Sequence, residues 1–193
     1  MAHTYRFLAA LLTIALVATI GLGFWSFFHT EVTEFKKNIF LVHFFLGLVT
    51  ALGLLLAHCL IFTYFLGTGR WVKEVTLAYK LPDEPWHKET RELKRKTFPP
   101  ALFAMLAAIA TSAAGAGVQL QAWHWSAHMS LAFLTLAINL WAFRVETRNV
   151  TLNNAVIQGV LAEVDRVRRE SGLVSNEEAL KEETPVATPP REG

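Results

Sequence analysis

The sequence of 193 residues has one cysteine, Cys59, so it cannot form an intramolecular disulfide. Its formal net charge of +2 is too small to indicate a nucleic-acid-binding surface. The sequence contains neither HExxH nor GxSxG, and it has no P-loop. These absences argue against a zinc protease, a GxSxG serine hydrolase and a P-loop nucleotidase. The charged residues that are present cluster in a few segments, and long uncharged stretches separate these segments.

Four apolar runs dominate the chain, of which 53% is hydrophobic. At about 1.5 Å per helical residue, each run is long enough to cross a hydrocarbon core of about 30 Å. The pattern therefore predicts an all-α fold, an integral membrane four-helix bundle within residues 1–147. The expected transmembrane helices are Phe7 to Phe28, Ile39 to Leu66, Ala101 to Val118 and His124 to Phe143.

The basic residues outside these runs predict the orientation of the bundle. Eight of the 18 fall in the predicted loop 68–100, and Arg144 and Arg148 follow the fourth run closely. The first loop has only Lys36 and Lys37, and acidic neighbours offset both. Because Lys and Arg concentrate on the cytoplasmic side of a membrane, we expect both termini to be cytoplasmic. A bacterial inner membrane is the simplest location.

Two further segments are predicted outside the membrane, beside a helical loop over 68–100. Residues 148–170 carry Leu152, Val156 and Val160 at helical spacing, which indicates an amphipathic helix that packs on the loop or on a partner protein. Residues 171–193 are rich in Glu, Pro, Thr and Gly, a composition typical of a disordered tail. No internal repeat of useful length is visible.

Histidines are the ionisable residues of the apolar runs. Ionisable groups are costly in a membrane and usually face the interior of a bundle, so they mark candidate functional positions. His43 and His128 lie at comparable depths in the second and fourth runs. Two neutral imidazoles at equal depth are the arrangement that axial ligation of haem iron requires. His124, one turn from His128, and His29, at the end of the first run, are candidate alternate ligands.

The second run carries a further sign of haem binding. His43 and His58 stand near its opposite ends, with Gly47 and Thr50 on the face between them. This helix resembles the haem-bearing helices of membrane b-type cytochromes, although the fourth run has no matching pair of histidines. The resemblance implies haem b as the cofactor, and Gly47 as a residue that lets a porphyrin approach the backbone.

A second site is conceivable near the other end of the bundle. His58 and Met105 have similar expected depths, which would suit a His/Met-ligated iron. With Cys59, the same residues would form a soft copper site. The alternative is that His58 is a hydrogen-bonded core histidine.

Together these features predict a cytochrome b-like electron-transfer subunit of a respiratory or redox complex rather than a stand-alone catalyst. Its expected partners are the lipid bilayer, membrane protein subunits and a quinone, with no nucleic acid. One alternative is a cofactor-free structural or assembly subunit. Another is a copper-handling membrane protein.

Overall fold

The computed structural model describes residues 2–28, 34–176 and 178–179, and these residues form four long α-helices and no strand. All four helices are long and apolar enough to span a membrane, so the predicted all-α class is confirmed. The predicted ligand His29 and the last part of the predicted tail, from 180, lie outside the described residues. The helices are α1 (Ala2–Phe28), α2 (Glu34–Ala78), α3 (Trp86–Gln119) and α4 (Trp125–Glu170).

The helices pack as an up-and-down bundle whose centre lies between α2 and α4. Helices α1 and α3 each contact both α2 and α4, whereas within the described residues they do not contact each other. Large apolar side chains such as Ile14 and Val49 point away from the bundle, with 68% and 65% of their surface exposed. Such an apolar exterior suits a lipid environment, because lipid tails solvate it where water would not.

The helices extend well beyond the predicted apolar runs. Helix α4 has 46 residues, which at 1.5 Å per residue is about 69 Å, more than twice the thickness of a hydrocarbon core. The predicted loop 68–100 consists mainly of the end of α2 and the start of α3, and the predicted helix 148–170 continues α4. These parts form an extended end of the bundle because they share a core that includes Val72, Leu93 and Val160. The amphipathic segment thus packs on the chain's own helices.

Pro99 and Pro100, which directly precede the predicted third run, lie inside α3. Proline cannot donate a backbone hydrogen bond, so a helix continues through it only where other contacts hold the turn. Here Thr97, just before the prolines, is buried and accepts a hydrogen bond of 2.8 Å from Asn149 Nδ2 on α4. Helix packing therefore overrides the local signal for a helix start.

The hairpins α1–α2 and α3–α4 are two copies of one pattern, contrary to the expectation that the chain has no repeat. Buried positions in α1 recur in α3 at a constant offset along the chain, and those in α2 recur in α4 in the same way. The correspondence, together with the contacts above, relates the hairpins by an approximate two-fold axis between α2 and α4. Corresponding buried pairs are Ala9 and Ala101, Leu12 and Ala104, Leu16 and Ala108, Thr50 and Thr135, Leu54 and Asn139, and Ala57 and Ala142.

Candidate functional site

His43 of α2 and His128 of α4 occupy equivalent positions in the two hairpins and face each other near the α1–α2 and α3–α4 connections. Their ring centroids are 6.2 Å apart and the ring planes are nearly perpendicular, at 85°. Both rings are half-buried. The structure thus brings together the two histidines that the sequence places at equal depth, and we call them the histidine pair.

Each ring of the histidine pair is fixed by a backbone carbonyl of the preceding helix. His43 Nδ1 lies 2.9 Å from the carbonyl oxygen of Thr19, and His128 Nδ1 lies 3.0 Å from that of Thr111. A carbonyl oxygen only accepts, so Nδ1 must carry the hydrogen and Nε2 of the neutral ring is a free lone pair. No described residue hydrogen-bonds either Nε2 atom. Metal-ligating histidines are commonly oriented in this way.

A glycine packs directly against each ring of the histidine pair. A Cβ atom at Gly23 would lie 3.1 Å from Cε1 of His43, and one at Gly115 would lie 3.0 Å from Cε1 of His128. Each glycine follows its carbonyl-supplying threonine, Thr19 or Thr111, by one helical turn. The two halves therefore supply the same environment: a carbonyl that orients the ring and a glycine that makes room for it.

The histidine pair fits the axial ligand set of a haem iron. A metal bound by two imidazole nitrogens at about 2 Å each would hold the ring centroids roughly 6 Å apart, and the observed separation is 6.2 Å. Two turns along α2, the hydroxyl of Thr50 is buried without a hydrogen-bond partner among the described residues. Within those residues no cluster of three or more His, Cys, Asp or Glu side chains forms a metal-binding group. The donor set on offer is thus a pair of neutral imidazoles.

The other residues predicted around this site have different contacts. His124 is the N-cap of α4, where its Nδ1 accepts from the backbone N–H of Ser126 at 3.4 Å and lies 2.8 Å from the Ser126 hydroxyl. A Cβ at Gly47 would meet Cγ2 of Thr19 at 3.4 Å, so this glycine lets α2 approach α1. The close glycines at the rings are Gly23 and Gly115, which the sequence analysis did not single out.

Farther along the bundle, His58 belongs to a fully buried polar cluster. Its Nδ1 lies 2.7 Å from Glu146 Oε1, and its Nε2 lies 3.0 Å from Asn139 Oδ1. The hydroxyl of Tyr5 donates to Glu146 Oε2. We call Tyr5, His58, Asn139 and Glu146 the His58 network.

The proton positions in the His58 network follow from its geometry. Asn139 Nδ2 donates to the carbonyl of Thr135 at 2.8 Å, which fixes the orientation of the amide and makes Oδ1 an acceptor. Nε2 of His58 must therefore carry a hydrogen. One further proton is shared between Nδ1 of His58 and the carboxyl of Glu146. Whether this proton is bound to the imidazole or to the carboxyl group, the net charge of the pair is zero. Burial without a net charge avoids the large cost of an isolated ion.

These hydrogen bonds occupy the ring nitrogens that the predicted second metal site of His58 and Met105 would need. Both ring nitrogens of His58 are engaged, so a metal would have to displace Glu146 or Asn139. Met105 is half-buried on α3, and Cys59 is exposed on the outside of the bundle while its neighbour His58 is fully buried. The arrangement suits the alternative of a hydrogen-bonded core histidine, and metal binding at His58 stays a prediction that the structure does not support.

Glu146 is the residue that sequence reasoning missed. It lies just beyond the predicted end of the fourth run, outside the predicted transmembrane helices, yet it is fully buried. A signal was present in the sequence: Asn139, Glu146, Asn149 and Asn153 recur at steps of seven, three and four residues, which places them on one face of a helix. All four are buried. A polar stripe of this kind on a long helix indicates a buried network.

Comparison of the chain with protein-family models, with curated proteins and with solved structures gives no match. Function is therefore inferred from the geometry of the bundle alone.

Proposed function

We propose that this protein is a membrane-embedded, cytochrome b-like haem protein that acts as an electron-transfer subunit. His43 and His128 would be the axial ligands of a haem b. The observation that carries the proposal is the symmetric histidine pair. Both Nδ1 atoms are bound to carbonyls, neither Nε2 atom has a partner within the described residues, and the ring centroids are 6.2 Å apart. A bound haem would supply one-electron redox chemistry.

The protein's own contribution is to orient and pack the ligands. The carbonyls of Thr19 and Thr111 hold the rings in one tautomer and so keep both lone pairs ready for iron. Gly23 and Gly115 keep the space beside the rings open. With cytoplasmic termini, the site would lie toward the outer face of a bacterial inner membrane. Electrons would then pass between an external donor and a quinone or a partner subunit.

An absorption spectrum of the purified protein tests this proposal. We expect a Soret band and, after reduction with dithionite, a sharp α band, with about one haem per chain by pyridine haemochrome assay. Reconstitution with added haemin would cover the case of incomplete loading during expression. A protein that shows neither band, and does not gain them with haemin, would refute haem binding.

Ligand variants test the assignment to the histidine pair. His43→Ala or His128→Ala should abolish the low-spin bis-histidine spectrum, whereas His124→Ala, a matched change at the same end of the bundle, should preserve it. Wild-type spectra in both ligand variants would mean that the iron is held elsewhere.

The two alternatives give different results in the same samples. A copper-handling protein would contain copper by elemental analysis and no haem. A cofactor-free assembly subunit would contain neither, and its His43→Ala variant would still assemble with its partner subunits.

A further inference from the structure

A cleft lies between the start of α1 and the middle of α4, and one of its lining residues, Phe143, stacks on the ring of His58. It has a volume of about 500 Å³, and three arginines line it: Arg6, Arg144 and Arg148. Its lining also includes the buried apolar residues Ala9 and Phe143. The cleft therefore combines three positive charges with an apolar wall.

The arginines of this cleft have no acidic partner in the part of the chain that the structure describes. Among the described residues, none of the three arginines forms an ion pair or a side-chain hydrogen bond, whereas Arg70 and Arg166 elsewhere pair with glutamates of their own helices. Glu146 is close to Arg144 and Arg148 in sequence, but its two oxygens are bound by Tyr5 and His58 in the interior. Glu146, the acidic residue nearest in sequence, therefore does not pair with the arginines of the cleft.

The position of the cleft along the bundle matches a membrane boundary. Arg6 directly precedes the apolar run that begins at Phe7, and Arg144 directly follows the run that ends at Phe143. The two helices run in opposite directions, so both limits fall at the same end of the membrane-spanning part. A phospholipid phosphate lies at this level, where the hydrocarbon core meets the headgroups.

We infer that this cleft binds the phosphate headgroup of an anionic phospholipid. Guanidinium groups bind phosphate oxygens through paired, charge-assisted hydrogen bonds, and basic pockets between transmembrane helices are suited to anionic headgroups. Leu152 also lines the cleft and is 39% exposed. An acyl or glycerol group can cover this apolar surface, which favours a lipid over free inorganic phosphate. The inference does not depend on a haem.

Lipid retention by the full chain tests the inference. The protein is placed in nanodiscs of equimolar phosphatidylglycerol and phosphatidylcholine, extracted into mild detergent, and examined by native mass spectrometry for bound lipid. Wild-type protein should retain phosphatidylglycerol over phosphatidylcholine by about tenfold. The double variant Arg144→Gln/Arg148→Gln should lose most of this preference, since each arginine near a membrane surface contributes roughly a fivefold effect.

The matched control is Lys94→Gln/Arg95→Gln, which removes the same charge from α3 outside the cleft. It should keep the wild-type preference, and equal thermal unfolding midpoints would show that both variants are folded. The inference is overturned if the cleft variant retains its preference, or if the control loses as much as the cleft variant. It is also overturned if inorganic phosphate binds the wild-type protein as tightly as phosphatidylglycerol does, because free phosphate would then be the ligand.

Discussion

The histidine pair and the His58 network sit on the same approximate two-fold axis and show opposite chemistry. At the histidine pair both hairpins supply the same residues, and neither Nε2 atom has a hydrogen-bond partner among the described residues. At the His58 network the two hairpins differ, because Phe143 occupies the position equivalent to His58. The two rings stack with their centroids 5.3 Å apart. Every polar atom of the His58 ring is satisfied there. The comparison teaches that a buried histidine signals a binding site only when the fold leaves one of its nitrogens unpaired.

The largest expected effect separates the two levels by spectroscopy. Replacing His43 or His128 with phenylalanine should abolish the haem spectrum, and the two variants should behave alike because the residues are equivalent. His58→Phe should keep the full absorption spectrum of the wild type, since its ring nitrogens bind Asn139 and Glu146. Absorption spectra of the haem-loaded variants check this prediction, and loss of the bands in His58→Phe would place a ligand in the His58 network.

The next effect concerns the stability of the His58 network. Glu146→Leu should lower the free energy of unfolding by about 3–5 kcal/mol, because it strands His58 and Tyr5 in a dry interior. Denaturant unfolding in detergent micelles measures this change.

A double variant replaces both His58 and Glu146 by the residues at the equivalent positions of the opposite hairpin. His58→Phe/Glu146→Ile installs the residues found at the equivalent positions Phe143 and Ile61. Removing both partners of a buried ion pair avoids the unpaired charge, so the double variant should recover most of the stability that Glu146→Leu loses. A double variant as unstable as the single one would show that the network does more than balance its own charge.

A smaller effect is expected at the glycines beside the histidine pair. Gly115→Ala would put a Cβ atom 3.0 Å from the His128 ring, and we expect a loss of about 1–3 kcal/mol from the forced shift, together with weaker haem retention. Gly21→Ala is the control, because no atom lies within 4 Å of its added Cβ. Its helix propensity alone should raise stability slightly. Denaturant unfolding measures the loss of stability, and the rate of haem transfer to apomyoglobin measures haem retention. Equal stability and equal haem retention in Gly115→Ala and Gly21→Ala would contradict the packing argument.

The smallest effect distinguishes the equivalent threonines Thr50 and Thr135. Thr135 shares a hydrogen bond of 2.7 Å with Thr111, so Thr135→Val should cost about 0.6 kcal/mol, typical of such a bond in a membrane protein. Thr50 has a buried hydroxyl without a described partner, so Thr50→Val should be neutral or stabilising in the haem-free protein. Denaturant unfolding measures the stability of both variants. A larger loss of stability for Thr50→Val than for Thr135→Val would contradict the assignment of the hydrogen bond to Thr135.

The sequence was sufficient to predict four long apolar helices and the equivalent positions of His43 and His128 along the bundle, because hydrophobic runs and helical rise are local properties. It was insufficient for the helix ends, because the polar extensions of α2, α3 and α4 have the composition of a loop. They are helical because they share a core that includes Val72 and Val160. The repeat was missed because corresponding residues such as Leu54 and Asn139 share burial rather than chemistry. For the same reason the partners of His58 emerged only from the packing of α1, α2 and α4.

The approximate two-fold relation has a consequence for how such a protein can change over time. In a dimer of identical hairpins, any substitution on the axis occurs twice, so a histidine can face only a histidine. A chain that carries both hairpins can alter one copy alone. It can keep a matched pair of histidines at one level while, a few turns away, it sets a histidine against a phenylalanine and carries a buried glutamate in one hairpin alone.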